Sequence, residues 1–246
     1  MNPMGNYLNI ERTEWDIPIY RFTSADRILS FIDKHKNTLV SPRKWKDPFE
    51  NFLSRIKFRK KDGSLYKHPF RDRVYGQCWT TIEETDAAWR MYIPDGNGVR
   101  LKTRIKKLHY SLSVQSGYPV MSSYIGRVAY KTEDEICAWL SDNQWVKEHL
   151  LGVGCRGQAE SLLFKRKEFE PEQEIRLIYL DPHNRGVDNF YHYEVDPSEV
   201  IEEITFDPRM EDDLYETYSS IIRTLGFFGE VNKSMLYKIP FFEVSV

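Results

Sequence analysis

Lys165-Arg166-Lys167-Glu168-Phe169-Glu170-Pro171-Glu172-Gln173-Glu174-Ile175-Arg176-Leu177-Ile178-Tyr179 is the most informative stretch of the chain. From Glu172 to Leu180 it alternates as a strand does, so Glu172, Glu174 and Arg176 share one face and Ile175, Leu177 and Tyr179 the other. Three ionisable side chains in a row are costly to bury without partners. That face is therefore either solvated, as an ion-pair ladder, or lines a cleft where charge is used. Paired carboxylates on one face suit acid–base work or the steadying of a developing cation.

Outward from this strand, Asp181-Pro182-His183-Asn184-Arg185-Gly186 turns the chain, and Phe190 to Val195 pairs back as a hairpin. Ile17 to Phe22 reads as a short strand, with Pro18 near its start where a missing N–H is tolerated. Thr23 with Asp26 offers a capping box for a helix whose stripe is Ile28, Leu29 and Ile32, stopped at Asn37. Thr38 to Ser41 and Tyr75 to Thr81 read as further strands, and residues 57–73 as a polar excursion around an Asp62-Gly63 hairpin turn. Thr81 with Glu84 caps a short helix through Trp89 and Tyr92, and the turn Asp95-Gly96-Asn97-Gly98 leads into Val99-Arg100-Leu101. Tyr124 to Lys131 alternates as a strand, and Thr132 with Glu135 caps a helix carrying Ile136, Trp139 and Leu140. A last helix spans about Asp212 to Leu225, and Phe241 to Val246 closes as a strand. The expected class is α+β: one domain over residues 17–246, a mixed, mostly antiparallel sheet with flanking helices, after a loose polar arm at 1–16.

Composition narrows the function. The 246 residues are 41% hydrophobic and 14% aromatic, which excludes a disordered chain. A net charge of −2 excludes a globally basic nucleic-acid binder, though not a local basic patch. Three widely spaced cysteines, Cys78, Cys137 and Cys155, form no disulfide framework and suit a reducing cytosol. No signal segment and no apolar run of about 18 residues is visible, so a cytoplasmic protein without a membrane partner is expected.

Several motifs carry little. Gly152-Val153-Gly154-Cys155-Arg156-Gly157 matches the GxGxxG string, but the residues before it read as a helix end, so it is taken as a helix stop and loop. The six histidines show no metal-ligand spacing, and no metal is expected. There is no G-x-S-x-G elbow, and Cys78 reads as an inert core thiol. Lys57 to Arg73 sets seven positives against two negatives, with Phe58, Tyr66 and Phe70 interleaved. That pattern suits a solvated hairpin, or a surface that grips a nucleic-acid backbone and stacks bases.

Tyr20-Arg21-Phe22 before a capped helix, then Lys46-Asp47-Pro48-Phe49-Glu50, resembles the opening of the bacterial domain-of-unknown-function 2971 family. Cys78-Trp79-Thr80, Trp89-Arg90-Met91-Tyr92 and Gly98-Val99 look like its central block, and Lys165, Phe169 and Glu172 to Leu177 like its last. Lys46 stands where that family usually has Asn, and Phe169 where it has Trp. A more distant likeness, of Arg, then a Thr-containing strand, then Glu-x-Glu, is to ADP-ribosyltransferases, including DNA- and RNA-modifying toxins. That likeness implies an NAD-consuming transferase or glycohydrolase, such as a toxin or phage-defence effector, with a nucleic-acid or protein acceptor. Glu174 would hold the ribose 2′-hydroxyl, Glu172 would orient or deprotonate the acceptor, and Arg21 would clamp the pyrophosphate. Thr80 or Thr81 would brace the glutamates, with Tyr20, Arg176, Asp47 and Glu50 also on the substrate side. Trp89 or Tyr92 could stack on nicotinamide, although core packing at i and i+3 explains that pair better, and Asp47 and Glu50 fit a local turn equally well. The competing expectations are a nucleic-acid-acting protein using the basic segment and a non-catalytic interaction module.

Overall fold

The computed structural model describes residues 3–45, 50, 57–59, 62–66, 73–115, 122–142, 144, 155–240 and 243. Among them the early strands are β1 (Tyr7–Leu8), β2 (Pro18–Ser24), β3 (Lys36–Val40), β4 (Phe58–Arg59), β5 (Leu65–Tyr66), β6 (Val74–Thr80) and β7 (Gly98–Arg104). The later ones are β8 (Ser123–Arg127), β9 (Ala129–Lys131), β10 (Phe164–Arg166), β11 (Glu174–Leu180), β12 (Phe190–Glu194), β13 (Glu203–Phe206) and β14 (Glu230–Lys233). Helices are α1 (Ala25–Lys34), α2 (Asp86–Tyr92), α3 (Ile105–Gln115), α4 (Glu133–Ser141), α5 (Arg156–Glu160), α6 (Pro197–Val200) and α7 (Asp212–Thr224). The chain falls into two compact units, each drawn from three stretches: 1–19, 36–81 and 104–195, then 20–35, 82–103 and 196–246. Helices flank mixed, mostly antiparallel sheets, the α+β class expected from the sequence.

In the first unit the strand order is β1-β8-β11-β6, with β3 meeting β6 at Val40↔Gly76 and β12 lying on β3. β11 is central, antiparallel to both β6 and β8, and all seven of its residues are buried. Its β-branched and aromatic content suits that two-sided burial. Leu8, Val74, Tyr124, Ile178 and Leu180 pack on one face against Ala159 of α5 and Leu162 and Leu163 of the 3-10 turn after it. Gly126 permits this close approach, because a Cβ there would stand 2.3 Å from Leu163 Cδ1. β9 and β10 form a separate parallel pair, and β4 and β5 pair across Asp62-Gly63.

In the second unit β2, from Tyr20 onward, is followed by β7, β13 and β14. β13 runs antiparallel to β7 and parallel to β14. α7 covers β13 through Tyr215, edge-on to Phe206 at 5.4 Å, and Tyr218, stacked on it at 5.9 Å.

Several local expectations change. Residues 3–16 are no loose arm: β1 pairs in parallel with β8, Asn6 Nδ2 donates to the Ser123 carbonyl at 2.6 Å, and Tyr7 stacks on Trp15 at 4.2 Å. β12 pairs with β3 rather than β11, whose two edges are already taken by β6 and β8. β2 runs through Thr23, so Ser24 is the N-cap of α1. The helix ends at Lys34 with His35 in the left-handed region, and Asn37 becomes a buried β3 residue whose Nδ2 donates to Tyr193 Oη. α2 starts later than expected, capped by Thr85, whereas the Thr132–Glu135 capping box is present. The strand expected over Phe241 to Val246 and the GxGxxG string lie largely outside the described residues.

His109 on α3 is buried, with Nε2 3.2 Å from the Ser123 carbonyl and its ring edge-on to Tyr7 at 4.8 Å. Burial lowers its pKa from 6.5 to about 4, against the opposing pull of the Ser123 carbonyl. The unfolded chain therefore takes up a proton near pH 6.5 that the folded chain refuses until about pH 4. Stability from this group is complete above pH 6.5 and is lost on acidification to about pH 4, by roughly 3 kcal/mol. Urea unfolding across that range should show the slope, and His109→Phe should flatten it.

A buried charge cluster as candidate active site

β11 carries the site. Glu174 and Arg176 lie two residues apart on one face, and Arg176 Nη2 bonds Glu174 Oε2 at 2.7 Å. The same guanidinium nitrogen reaches Glu50 Oε1 at 2.9 Å, and Nη1 donates to the Leu162 carbonyl at 2.6 Å. Lys165, buried on β10, brings its Nζ to Glu50 Oε1 at 2.7 Å, Glu172 Oε2 at 2.9 Å and Glu174 Oε2 at 3.4 Å. Two cations thus alternate with two shared carboxylate oxygens, and Glu172 joins through Lys165.

Glu172 reaches this cluster from outside the strand expected to hold it. It ends a 3-10 turn over Lys167–Glu172, and Gln173 follows in the left-handed region at φ 44°. Pro171 has no N–H for a sheet ladder, so the extended run stops short of Glu172. Thr80 and Thr81 at the end of β6 fasten this bend. Thr80 Oγ1 donates to the Glu172 carbonyl at 2.6 Å, and Thr81 Oγ1 to Gln173 Oε1 at 2.8 Å. Tyr130 Oη accepts from the Glu174 backbone N–H at 2.8 Å.

Aromatic and small residues close the cluster. The Trp45 ring lies 4.4 Å from the Arg176 guanidinium, and Phe169 4.8 Å from the Lys165 ammonium. Gly76 makes room for Trp45, because a Cβ there would stand 2.7 Å from its Cζ2. Cys78 stands opposite Arg176 in register, close enough to Glu174 to feel its charge.

The electrostatics follow from burial. Arg176 has 0% side-chain exposure and Glu174 6%, so the solvated-ladder reading of this face is wrong. Burial alone would raise the Glu174 pKa, but Arg176 and Lys165 outweigh it and hold the carboxyl below its usual value. Burial works against both cations too, yet Glu174 and Glu50 keep Lys165 and Arg176 firmly protonated. Desolvation beside Glu174 pushes the Cys78 thiol up, so it stays protonated, and burial pushes Tyr130 up to about 12. Among the described residues, three carboxylates meet the two cations Lys165 and Arg176. Glu172 is the most open of the three glutamates, at 18% side-chain exposure against 6–7% for the others.

The cluster therefore gathers Glu50, Glu172, Glu174 and Arg176, with Thr80 and Thr81 as braces of its backbone. Arg21, Tyr20, Trp89 and Tyr92 belong to the second unit. There Tyr20 is buried beneath the Arg100 guanidinium at 5.1 Å. Trp89 has no exposure, donates Nε1–H to Glu84 Oε1 at 2.8 Å and meets Phe22 edge-on, so it is a core residue. Tyr92 stacks on Phe22 at 5.5 Å and is partly exposed, while Arg21 is half-buried on β2. Asp47 lies outside the described residues, as do Lys60, Lys61, Lys67 and Arg71 of the basic segment. Arg59 there donates to the Gly63 carbonyl across its own hairpin.

Trp45 and Tyr130 are not among the residues that the sequence singles out, and Lys165 has no role there beyond its place in a motif. Lys165 is found by its nearness to Glu172 and Glu174 in one charged run. Trp45 carries no signal beyond its place beside the Asp-Pro-Phe-Glu box.

No protein-family model matches the chain, so the domain-of-unknown-function 2971 resemblance rests on the quoted motifs alone. No curated protein matches it either. Among solved structures, the chain is similar to Thermus sp. 2.9 DarT in complex with NAD+, at 12% identity and a TM-score of 0.41, over 89% of this chain and 96% of that one. DarT with ADP-ribosylated ssDNA gives 11% identity and a TM-score of 0.41, over 89% and 94%. Overlap this loose does not assign a family or an activity.

Arg176→Met would leave Glu50 and Glu174 buried with Lys165 as the remaining cation of the pair. Breaking a buried ion pair from one side destabilises by about 3–5 kcal/mol. Urea unfolding at pH 7 should register that loss.

Proposed function

We propose that this chain consumes NAD, as an ADP-ribosyltransferase-like or NAD glycohydrolase-like enzyme, with its acidic centre at Glu172 and Glu174. The observation that carries the reading is a buried cluster that brings three carboxylates, Glu50, Glu172 and Glu174, together and in which Glu172 is the most exposed of them. Cleavage of the nicotinamide–ribose bond sends the bonding electron pair out with nicotinamide and leaves an oxocarbenium-like carbon. A fixed negative charge in a site of low dielectric steadies that cation. Glu174, tied through Oε2 to both Arg176 and Lys165, supplies field rather than contact. Glu172 is the group that meets substrate, either at a ribose hydroxyl or at the proton of the incoming nucleophile. Nucleic acid or protein as the nucleophile makes the reaction a transfer, as in a toxin or phage-defence effector, and water makes it a hydrolysis.

One observation favours a second reading, a non-catalytic interaction module: Glu174 and Arg176 are each engaged by buried partners inside the fold. Nicotinamide release separates the two. The enzyme reading expects release from NAD by the wild type, with or without nucleic acid, and a loss on the order of 100-fold in Glu172→Gln at nearly unchanged melting temperature. Absence of release under all these conditions, or full activity in Glu172→Gln, refutes it.

A further inference from the structure

Tyr130 is joined to the charge cluster by its oxygen and not by its hydrogen. It sits on β9 in register with Lys165 of the parallel strand β10, so the two side chains share a face. Past Arg127 the chain leaves the β8–β11 ladder. The Val128 N–H still donates to the Glu174 carbonyl at 3.0 Å, but the Glu174 N–H goes instead to Tyr130 Oη at 2.8 Å. A phenol accepts through its lone pairs and donates through one O–H. Its accepting side is thus committed to the end of β11, and among the described residues the O–H hydrogen has no acceptor. We infer that Tyr130 is a substrate-binding residue, whose hydroxyl donates a hydrogen bond to a sugar hydroxyl held beside Glu172 and Glu174. The inference rests on the NAD-consuming reading and names the nicotinamide ribose as the sugar.

The bond from the Glu174 N–H fixes where the phenol oxygen stands, at the start of β11. Rotation about the C–O bond is then all that the hydrogen needs to meet an incoming oxygen. A sugar hydroxyl suits this place because it accepts and donates at once. It takes the hydrogen of the phenol and gives its own to a carboxyl, and Glu172, at 18% side-chain exposure, offers the most open one. Burial, with the nearby carboxyls of Glu174 and Glu172, pushes the Tyr130 pKa up to about 12, against the pull of the Glu174 N–H and Lys165. The hydroxyl therefore keeps its hydrogen at neutral pH and binds as a donor rather than serving as a base. The residue is half-buried, so a bond made there is partly sheltered from competing water.

Tyr130→Phe removes the donor and keeps the ring. NAD binding by calorimetry, alongside nicotinamide release, should show affinity lower by about three- to tenfold. The same change also takes the acceptor from the Glu174 N–H, so an analogue of NAD without the hydroxyls of its nicotinamide ribose separates binding from support of the strand. The wild type should prefer NAD to the analogue, and Tyr130→Phe should discriminate between them about three- to tenfold less. Discrimination equal to that of the wild type overturns the inference, even where Tyr130→Phe binds more weakly. If Tyr130→Phe does not fold, 3-fluorotyrosine placed at position 130 decides the case. Its fluorine signal should move further with NAD than with the analogue, and an equal response, or none, overturns the inference. Release of nicotinamide with unchanged discrimination removes this inference alone, whereas a wild-type chain that neither binds NAD nor releases nicotinamide removes the NAD reading and the inference with it.

Discussion

Arg176 holds a full positive charge at a point that water does not reach, and much of the first unit is built to tolerate it. A guanidinium moved out of water must recover its lost hydration from fixed partners, or the fold will not keep it. Those partners come from far apart in the chain: Glu174 on the same strand, Glu50, the Leu162 carbonyl after α5, and the face of Trp45. Supplying them demands that α5 and its following turn close over the sheet, which Gly126 permits, and that Trp45 lie flat on β6, which Gly76 permits. The charged pair is therefore a condition on the packing as much as a product of it.

The strand that bears this pair was legible because β11 alternates cleanly, so Glu174 and Arg176 had to share a face. Whether that face was wet or dry was not legible. The answer depends on Glu50, Trp45 and Lys165, whose approach no local pattern encodes. Glu172 was placed in the right company for the wrong reason: Pro171 and a left-handed Gln173 take it out of the strand, and Lys165 brings it back to the cluster. The caps divide in the same way. Thr132 and Glu135 have each other, and their box forms. Thr81 spends its hydroxyl on Gln173, so the helix after it waits for Thr85. Strand pairing was the least readable feature, since β12 and β3 meet across some 150 residues of sequence.

The second unit buries an arginine as well, and the contrast is instructive. Arg100 bonds Glu203 at 2.6 Å and Thr205 at 3.0 Å, stands 3.6 Å from Glu84, and covers the Tyr20 ring. Lys102 pairs with Glu203 at 3.2 Å, and the nearby Glu83 is largely in water at 65% exposure. The buried charges there balance, which suits a purely structural role. The first unit's cluster brings three carboxylates together and leaves Glu172 the most exposed of them, and that is what singles it out as a candidate site.

Neither unit can be assembled from one continuous piece of chain. During synthesis β1 leaves the ribosome more than a hundred residues ahead of β8, its only pairing partner among the described strands. β14 arrives later still to flank β13. At about 5–20 residues per second, the early segments wait several seconds or longer with apolar edges uncovered. Slowed translation late in the message would prolong that exposure.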